Sequence, residues 1–426
     1  MTPRIYLTAM KTYFKLQSNL KTHLDQLKAR QWRSFTDLVT FAYEHVPFYR
    51  VLYDRAGFSP SELKTPADIT SVPTTRKSMF QDPHMGPFLA EGYYPDRLIH
   101  RTTSGSSGSP LNVYYTPDDR IYRTLVHLRA LHHNGVRLRD RVAQITYRED
   151  PGFRYIFQKA GILSKEFISI KENPVENQID QISAYNPEVI YGYASSLAFL
   201  AGELKERGNY QIDPKHIFTT GELLNPGDRK NINSAFKVNL KDIYGIVEMG
   251  DVAWQCPELR GYHLNVDSFL VEVTTDGRLT KPGEVGHLTI TNLHSRAMPF
   301  IRYEVGDMLT ASREDSCPCG CTFPLVDMIQ GREDDWLCLP DGKRFSPMAF
   351  AVSAIPGIKQ YRVIQKDYDQ LFVEIIPGFD FVNRTRENVR EHVQKIVGPS
   401  LRVHVSKVDH IPQQSGKMRR YFSELI

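Results

Sequence analysis

Cysteine is scarce in this sequence, and so is tryptophan: five and three residues respectively among 426. Five thiols over that length do not make a disulfide framework, which excludes the stapled secreted scaffolds. Long apolar runs are missing too, since no stretch approaches the roughly 20 apolar residues a membrane span needs. The opening residues, MTPRIYLTAMKTYFKLQ, hold neither a continuous apolar core nor a small-residue cleavage pattern. Nor is charge of one sign in excess. The 53 basic and 49 acidic residues leave a net charge of +4, too balanced to point to nucleic acid. The expectation from these absences is a cytoplasmic protein with no membrane and no nucleic-acid partner. What is present reads as folded and globular: 41% hydrophobic and 24% charged residues. A chain this long exceeds one ordinary core, so two or more domains are expected.

Apolar residues at three- and four-residue spacing predict helix over most of 5–56, interrupted at Pro47. Six prolines between 60 and 100 predict loops and short helices. An alternation follows. VYYT (113–116) reads as a strand, 118–134 as a helix, RVAQITY (141–147) as a strand and FRYIFQKAG (153–161) as a helix. EVIYGY (188–193), a helix at 195–208, HIFTTGE (216–222), a helix at 226–236 and a short strand at 241–244 continue it. Strands alternating with helices of this length predict an α/β domain. From about 262 the strands follow one another without helices, which predicts a β-rich subdomain. Beyond 331 the order is strand, strand, helix, strand, a small α+β domain. The boundaries so read are 1–330 for a large N-terminal domain and 331–426 for a small C-terminal one.

The segment RTTSGSSGSP, residues 101–110, sets six hydroxyls and two glycines side by side. It lies inside the first α/β unit, so it is not a linker between domains. It also lacks the Lys and the following helix of a P-loop. A loop of this composition can wrap phosphates with amides and hydroxyls, or be a plain surface turn. Four of the five cysteines fall in two short segments. WQCPELRGYH holds Cys256 and His263, and SCPCGC holds Cys317, Cys319 and Cys321. C-x-C beside Pro and Gly, with a distant Cys and His, suits tetrahedral zinc; reduced unpaired thiols are the alternative. Cys338 stands alone in an apolar stretch and reads as packing. No G-x-S-x-G elbow supports a serine hydrolase.

Taken together, the motifs resemble the adenylate-forming (ANL) superfamily, in the branch of phenylacetate–CoA ligases and CapK proteins. HVPFYRVLYDRAGF (45–58) is similar to that branch's N-terminal signature, and TTSGSSGSP to its phosphate loop. TTGELL (219–224) corresponds to the adenine-binding turn, and DIYGIVE (242–248) resembles Y-G-x-[ST]-E. MPFIRYEVGD (298–307) is similar to the motif ending in the ribose-binding aspartate. GREDD (331–335) resembles the hinge, and SGK (415–417) the C-terminal lysine motif. Seven motifs in family order cover nearly the whole chain.

The resemblance implies ATP-dependent activation of a carboxylic acid as acyl-AMP, followed by acyl transfer to a second nucleophile. Thr102, Thr103, Ser104, Gly105, Ser106, Ser107 and Gly108 would cradle the β- and γ-phosphates. Glu248 would hold Mg2+ and Asp307 the ribose hydroxyls. Arg332 would support ribose and phosphate. Tyr244, with Gly245 beside it, would flank the adenine, whose pocket Gly221 and Glu222 would line. Lys417 would bridge the attacking carboxylate and the α-phosphate, offsetting charge in the transition state. Asp334 falls at the hinge about which family members rotate the small domain between half-reactions. Tyr147, Tyr191, Tyr193 and Val247 would line the acid pocket and favour an aromatic or mid-sized apolar acid. Some members of the branch carry a structural zinc, which makes Cys256, His263, Cys317 and Cys319 the implied ligands. Cys321 falls where the branch has Arg, so it is a bystander or an alternative ligand.

Two departures stand out. Val247 replaces the usual Ser/Thr, and 340–347, PDGKRFSP, lacks the usual R-G after the hinge. The acceptor expected is CoA, with an amine or a carrier-protein thiol as the alternative. A non-catalytic binding relative would have lost one of Lys417, Glu248, Asp307 or Arg332. Relatives are often dimers, which leaves a homodimer open.

Overall fold

The computed structural model describes residues 3–81, 88–103, 110–147, 161, 164–171, 174–208, 212–339, 341–412 and 418–425. The chain forms two compact units, Met1–Asn134 with Tyr244–Ile329, and Gly135–Ile243 with Gln330–Ile426. Each is built from two separate stretches of sequence.

The first unit opens with helices Pro3–Asn19, Leu24–His45 and Pro47–Ala56. Pro47 starts the third helix, where its missing N–H has no acceptor to lose. The second helix buries Leu27, Phe35, Leu38, Val39 and Ala42, one face of a 3.6-residue period. Strands Ile99–Thr102 and Asn112–Tyr115 form an antiparallel pair in which Thr102 faces Asn112. The segment expected to hold phosphates thus falls between two strands, of which the sequence predicts only the second. Thr103 N–H donates to Leu111 O at 3.0 Å, and Leu111 N–H to Thr103 Oγ1 at 2.9 Å. Helix Pro117–His133 starts on a capping box in which Thr116 and Asp119 exchange backbone-to-side-chain hydrogen bonds, both at 3.0 Å. The β-rich part is antiparallel, with Phe269–Thr275, Val285–Asn292 and Tyr303–Ala311 side by side. Tyr262–Leu264 pairs with Gly250–Gln255, and Thr75–Arg76 adds a parallel pairing to Tyr303 and Glu304.

In the second unit, Lys165–Ser169, Val142–Thr146, Val189–Tyr193 and His216–Thr220 lie parallel in that order. The start of Lys241–Ile246 pairs next to them. Helices Val175–Tyr185, Ala194–Arg207 and Pro226–Phe236 connect the strands. Their shared core holds Ile145, Ile190, Leu197, Leu200, Ile217, Ile232 and Phe236; burying each such side chain contributes about 1.5–3 kcal/mol. The helix expected at 153–161 lies outside the described residues, apart from Gly161. From Ile358 a four-stranded sheet forms, ordered Arg402–Lys407, Gln370–Pro377, Ile358–Asp367, Tyr421–Ser423. Helix Asn383–Val397 buries Thr385, Val389, Val393 and Val397, a four-residue spacing that is one face. Val389, Val393 and Val397 join Tyr361, Val363, Val373 and Ile375 in one core. Among the described residues no helix is long and apolar enough to cross a membrane.

Candidate active site and metal centre

Two carboxylates singled out in the sequence, Glu248 and Asp307, fall in the first unit. Glu248 sits in the turn between Lys241–Ile246 and Gly250–Gln255. Gly245 permits that turn, since a Cβ there would come within 2.8 Å of Gly250 O. Arg123 fixes the turn from helix Pro117–His133. Its Nη1 donates to Val247 O at 2.9 Å and its Nη2 to Glu248 O at 2.7 Å. The guanidinium lies 4.3 Å from the Tyr115 ring, and burial lowers its pKa from the ordinary arginine value. Glu248, only 7% exposed, accepts a hydrogen bond from Tyr303 at 3.0 Å. Asp307, 9% exposed, accepts one from Tyr244. The Tyr244 hydroxyl thus meets the carboxylate expected to bind ribose, besides the adenine flank expected of its ring.

The first unit therefore holds Thr102, Thr103, Tyr244, Gly245, Val247, Glu248 and Asp307. Gly221, Glu222, Arg332, Asp334, Tyr147, Tyr191 and Tyr193 belong to the second. Ser104, Gly105, Ser106, Ser107, Gly108 and Lys417 lie outside the described residues. Glu222 caps helix Ala194–Arg207, accepting from Ser195 N–H at 2.7 Å and Ser195 Oγ at 2.9 Å. Its Oε1 also accepts from Met418 N–H at 2.9 Å. Asp334 lies in the short turn Glu333–Asp335, directly after Arg332 ends the strand Leu325–Arg332. Its neighbour Asp335 takes the Arg419 guanidinium at 2.8–2.9 Å. Tyr191 and Tyr193, two apart in one strand, share a face. Tyr147 follows Val142–Thr146, with the Lys171 ammonium 6.0 Å from its ring.

The structure brings Cys256, His263, Cys317 and Cys319 together, their ligand atoms all within 4.8 Å of one another. Cys256 Sγ lies 3.6 Å from Cys317 Sγ, and Cys319 Sγ lies 3.3 Å from His263 Nε2. His263 Nδ1 faces Phe323 O at 3.0 Å, so a proton on Nδ1 leaves Nε2 as the lone pair aimed at the cluster. Burial holds His263 neutral, its pKa brought down to about 4. Burial first, then contact with neighbouring thiols, raises the thiols of Cys256 and Cys319. Thiols packed this way resist ionisation by themselves, and a divalent cation at their centre reverses that. Three thiols and one imidazole, mostly buried, fit a closed tetrahedral structural site. Cys321 is not in the cluster; its backbone N–H donates to Cys319 Sγ at 3.4 Å. The same loop reaches back to the start of the chain. Thr322 N–H donates to Leu20 O at 2.8 Å and its hydroxyl to Thr22 O at 2.7 Å. Cys338 is half-buried, its backbone pairing with the Gln365 side chain.

Arg123 and Tyr303 were not assigned from the sequence. An arginine within an amphipathic helix carries no signal of its own. Tyr303 lies inside MPFIRYEVGD, where a hydroxyl four residues from Asp307 was the available clue.

Known proteins supply the context for this geometry. Residues 340–423 match the CapK C-terminal domain family. The chain is 28% identical to a phenylacetate-coenzyme A ligase of Thermus thermophilus, over 93% of this chain and 96% of that one. It is 26% identical to the phenylacetate-coenzyme A ligase of Escherichia coli, over 97% and 98% respectively. Among solved structures, 2-hydroxyisobutyryl-CoA ligase in its postadenylation state superposes with a TM-score of 0.81, at 20% identity, covering 96% of this chain and 91% of that one. The α/β fold with its C-terminal domain is that of the adenylate-forming CoA ligases. Along nearly its full length the chain is similar to phenylacetate-coenzyme A ligases, and at 19% identity over 96% of its length to protein CapK of Staphylococcus aureus.

Proposed function

We propose that this protein is an AMP-forming ligase that activates a carboxylic acid with ATP and passes the acyl group to CoA. The observation that carries this reading is the pair of buried carboxylates, Glu248 and Asp307, each held by a tyrosine hydroxyl in one unit. Relatives along nearly the full chain are phenylacetate-coenzyme A ligases.

In the first half-reaction a carboxylate oxygen of the acid attacks the α-phosphorus of ATP. The bond to the β-phosphate oxygen breaks, leaving acyl-AMP and pyrophosphate. In the second, the CoA sulfur attacks the acyl carbon, its proton goes to solvent and AMP leaves. The chain's contribution is positioning and charge neutralisation. Thr102, Thr103 and residues 104–108 hold the phosphates. Asp307, oriented by Tyr244, takes the ribose. Gly221 and Glu222 border the adenine side, and Arg332 supports ribose and phosphate. Glu248 would hold magnesium, which supplies neutralisation of the phosphate oxygens; a single fixed carboxylate beside phosphates suits that ion. Lys417 stabilises the charge developing between acid and α-phosphate. Tyr147, Tyr191, Tyr193 and Val247 line the acid pocket. Residues 1–330 form the large domain and 331–426 the small one, hinged at Asp334. Cys256, His263, Cys317 and Cys319 hold a structural zinc, and a reducing cytoplasm suits those free thiols.

The test is pyrophosphate release with ATP and Mg2+ across aryl, fatty and amino acids. Each acid is run alone, with CoA and with amines, and Lys417→Ala is the control. Acid-dependent release with a thioester product under CoA supports the reading. Acceleration by an amine alone moves the acceptor to amide formation. Silence across the panel, with ATP still bound, overturns the activity.

A further inference from the structure

The three residues that follow Lys417 each meet a different carboxylate, all within the second unit. Met418 N–H donates to Glu222 at 2.9 Å. Arg419 donates through Nε to Asp335 at 2.9 Å, with Nη2 2.8 Å from the same oxygen. Arg420 pairs with Asp228, its side chain 10% and that of Asp228 1% exposed. Two of these carboxylates stand in segments already singled out, Glu222 in TTGELL and Asp335 in GREDD.

The third lies in a closed polar network. Asn225 caps helix Pro226–Phe236, its Oδ1 accepting from Asp228 N–H at 2.9 Å and from Ser353 Oγ at 2.9 Å. Its Nδ2 donates to Asp228 Oδ2 at 2.9 Å and to the Tyr361 hydroxyl at 3.0 Å. Tyr361 and Tyr421 hydroxyls are 2.7 Å apart, and Tyr421 donates onward to Phe350 O at 2.9 Å. Arg420 lies 5.2 Å from the Tyr361 ring. The helix start approaches so closely that only Gly227 fits, since a Cβ there would come within 2.7 Å of Ala354 N and still closer to Ser353 Oγ. A buried ion pair is a weak source of net stability compared with apolar packing. Its effect is on geometry, because it tolerates one arrangement only.

We propose that Arg420 and Asp228 are a positioning pair for acid adenylation, fixing, with Arg419–Asp335 and Met418–Glu222, the chain that leads out of Lys417. The proposal rests on the ligase reading above. It assigns no contact with substrate to Met418, Arg419, Arg420, Asp228 or Asp335; they act through Lys417.

The experiment separates the half-reactions. Acid-dependent ATP–pyrophosphate exchange reads the first. Thioester formation from supplied acyl-adenylate and CoA reads the second, using an acid that the wild type activates. Arg420→Lys and Asp228→Asn should lower exchange by about 100-fold, the scale of a 1 Å misplacement. Arg419→Gln, at the more exposed pair, should lower it by roughly tenfold. Thioester formation should persist in all three. Thermal unfolding is followed alongside, and Arg419→Gln carries the test if the buried variants do not fold. Parallel loss of both half-reactions, or no loss of exchange in folded variants, overturns the positioning role alone. A wild type silent in exchange overturns the ligase reading and this proposal with it.

Discussion

The Tyr303 hydroxyl donates to the Glu248 carboxylate at 3.0 Å, across 55 residues of sequence and out of water. The magnesium role proposed for Glu248 requires a carboxylate that is aimed. A phenol hydrogen bond aims it without adding a charge. Tyr303→Phe removes this contact and keeps the ring. We expect about a tenfold higher Mg2+ requirement for pyrophosphate release, with the unfolding temperature little changed. Glu248→Gln should abolish release. Equal Mg2+ titrations for wild type and Tyr303→Phe would refute the orienting role.

Arg123 satisfies the carbonyls of Val247 and Glu248 together. Arg123→Met keeps much of the side chain's length and leaves both carbonyls without their donor. We expect a loss of about 3 kcal/mol in urea unfolding and a fall in adenylation, with Arg123→Lys between the two. A stability unchanged in Arg123→Met would mean that water replaces the guanidinium.

The Cys256–His263–Cys317–Cys319 cluster predicts one zinc per chain by metal analysis of protein purified without added metal. Cys319→Ser should lose the metal and lower the unfolding temperature, as should a strong chelator. Cys321→Ser should keep the metal. Zinc retained in Cys319→Ser but lost in Cys321→Ser would exchange the two assignments.

His294 predicts an acid limb of stability. Its ring packs 4.2 Å from that of Tyr122, and both ring nitrogens are shielded from solvent. Burial, then the nearby Arg123 guanidinium, bring its pKa down from 6.5 to about 3. The unfolded imidazole binds a proton below about pH 6.5 that the folded one refuses. Its stabilisation is therefore complete above pH 6.5 and lost as pH falls toward 3. The unfolding temperature should fall from pH 7.5 to pH 5, and His294→Phe should flatten that slope. Parallel slopes for the two proteins would remove His294 as a cause.

Much of this was legible in the sequence, for reasons that differ by segment. VIYGY and HIFTT are apolar runs between helices closed by turns, so burial on both faces marked them as parallel strands. The valines and Thr385 of helix Asn383–Val397 declared its face by spacing alone. Ile99–Thr102 did not declare itself. Its own four residues alternate between half-buried and exposed, so IHRT shows no hydrophobic pattern. Lys165–Ser169 lies at one side of its sheet and is only partly buried, and KEFIS reads as polar. The metal cluster was readable because Cys is rare and C-x-C is rarer. Arg123, Asp228 and Asp335 were not, because charged residues on helices and turns are ordinary until their partners are known.

Thr322 holds the backbone of Leu20 and Thr22 from three hundred residues away, in the loop that carries Cys317 and Cys319. During synthesis this anchor emerges some three hundred residues after the two carbonyls it holds. Until then, the junction between the first two helices lacks its final restraint. Metal capture by that loop would therefore be a late checkpoint on a helix junction translated some three hundred residues earlier.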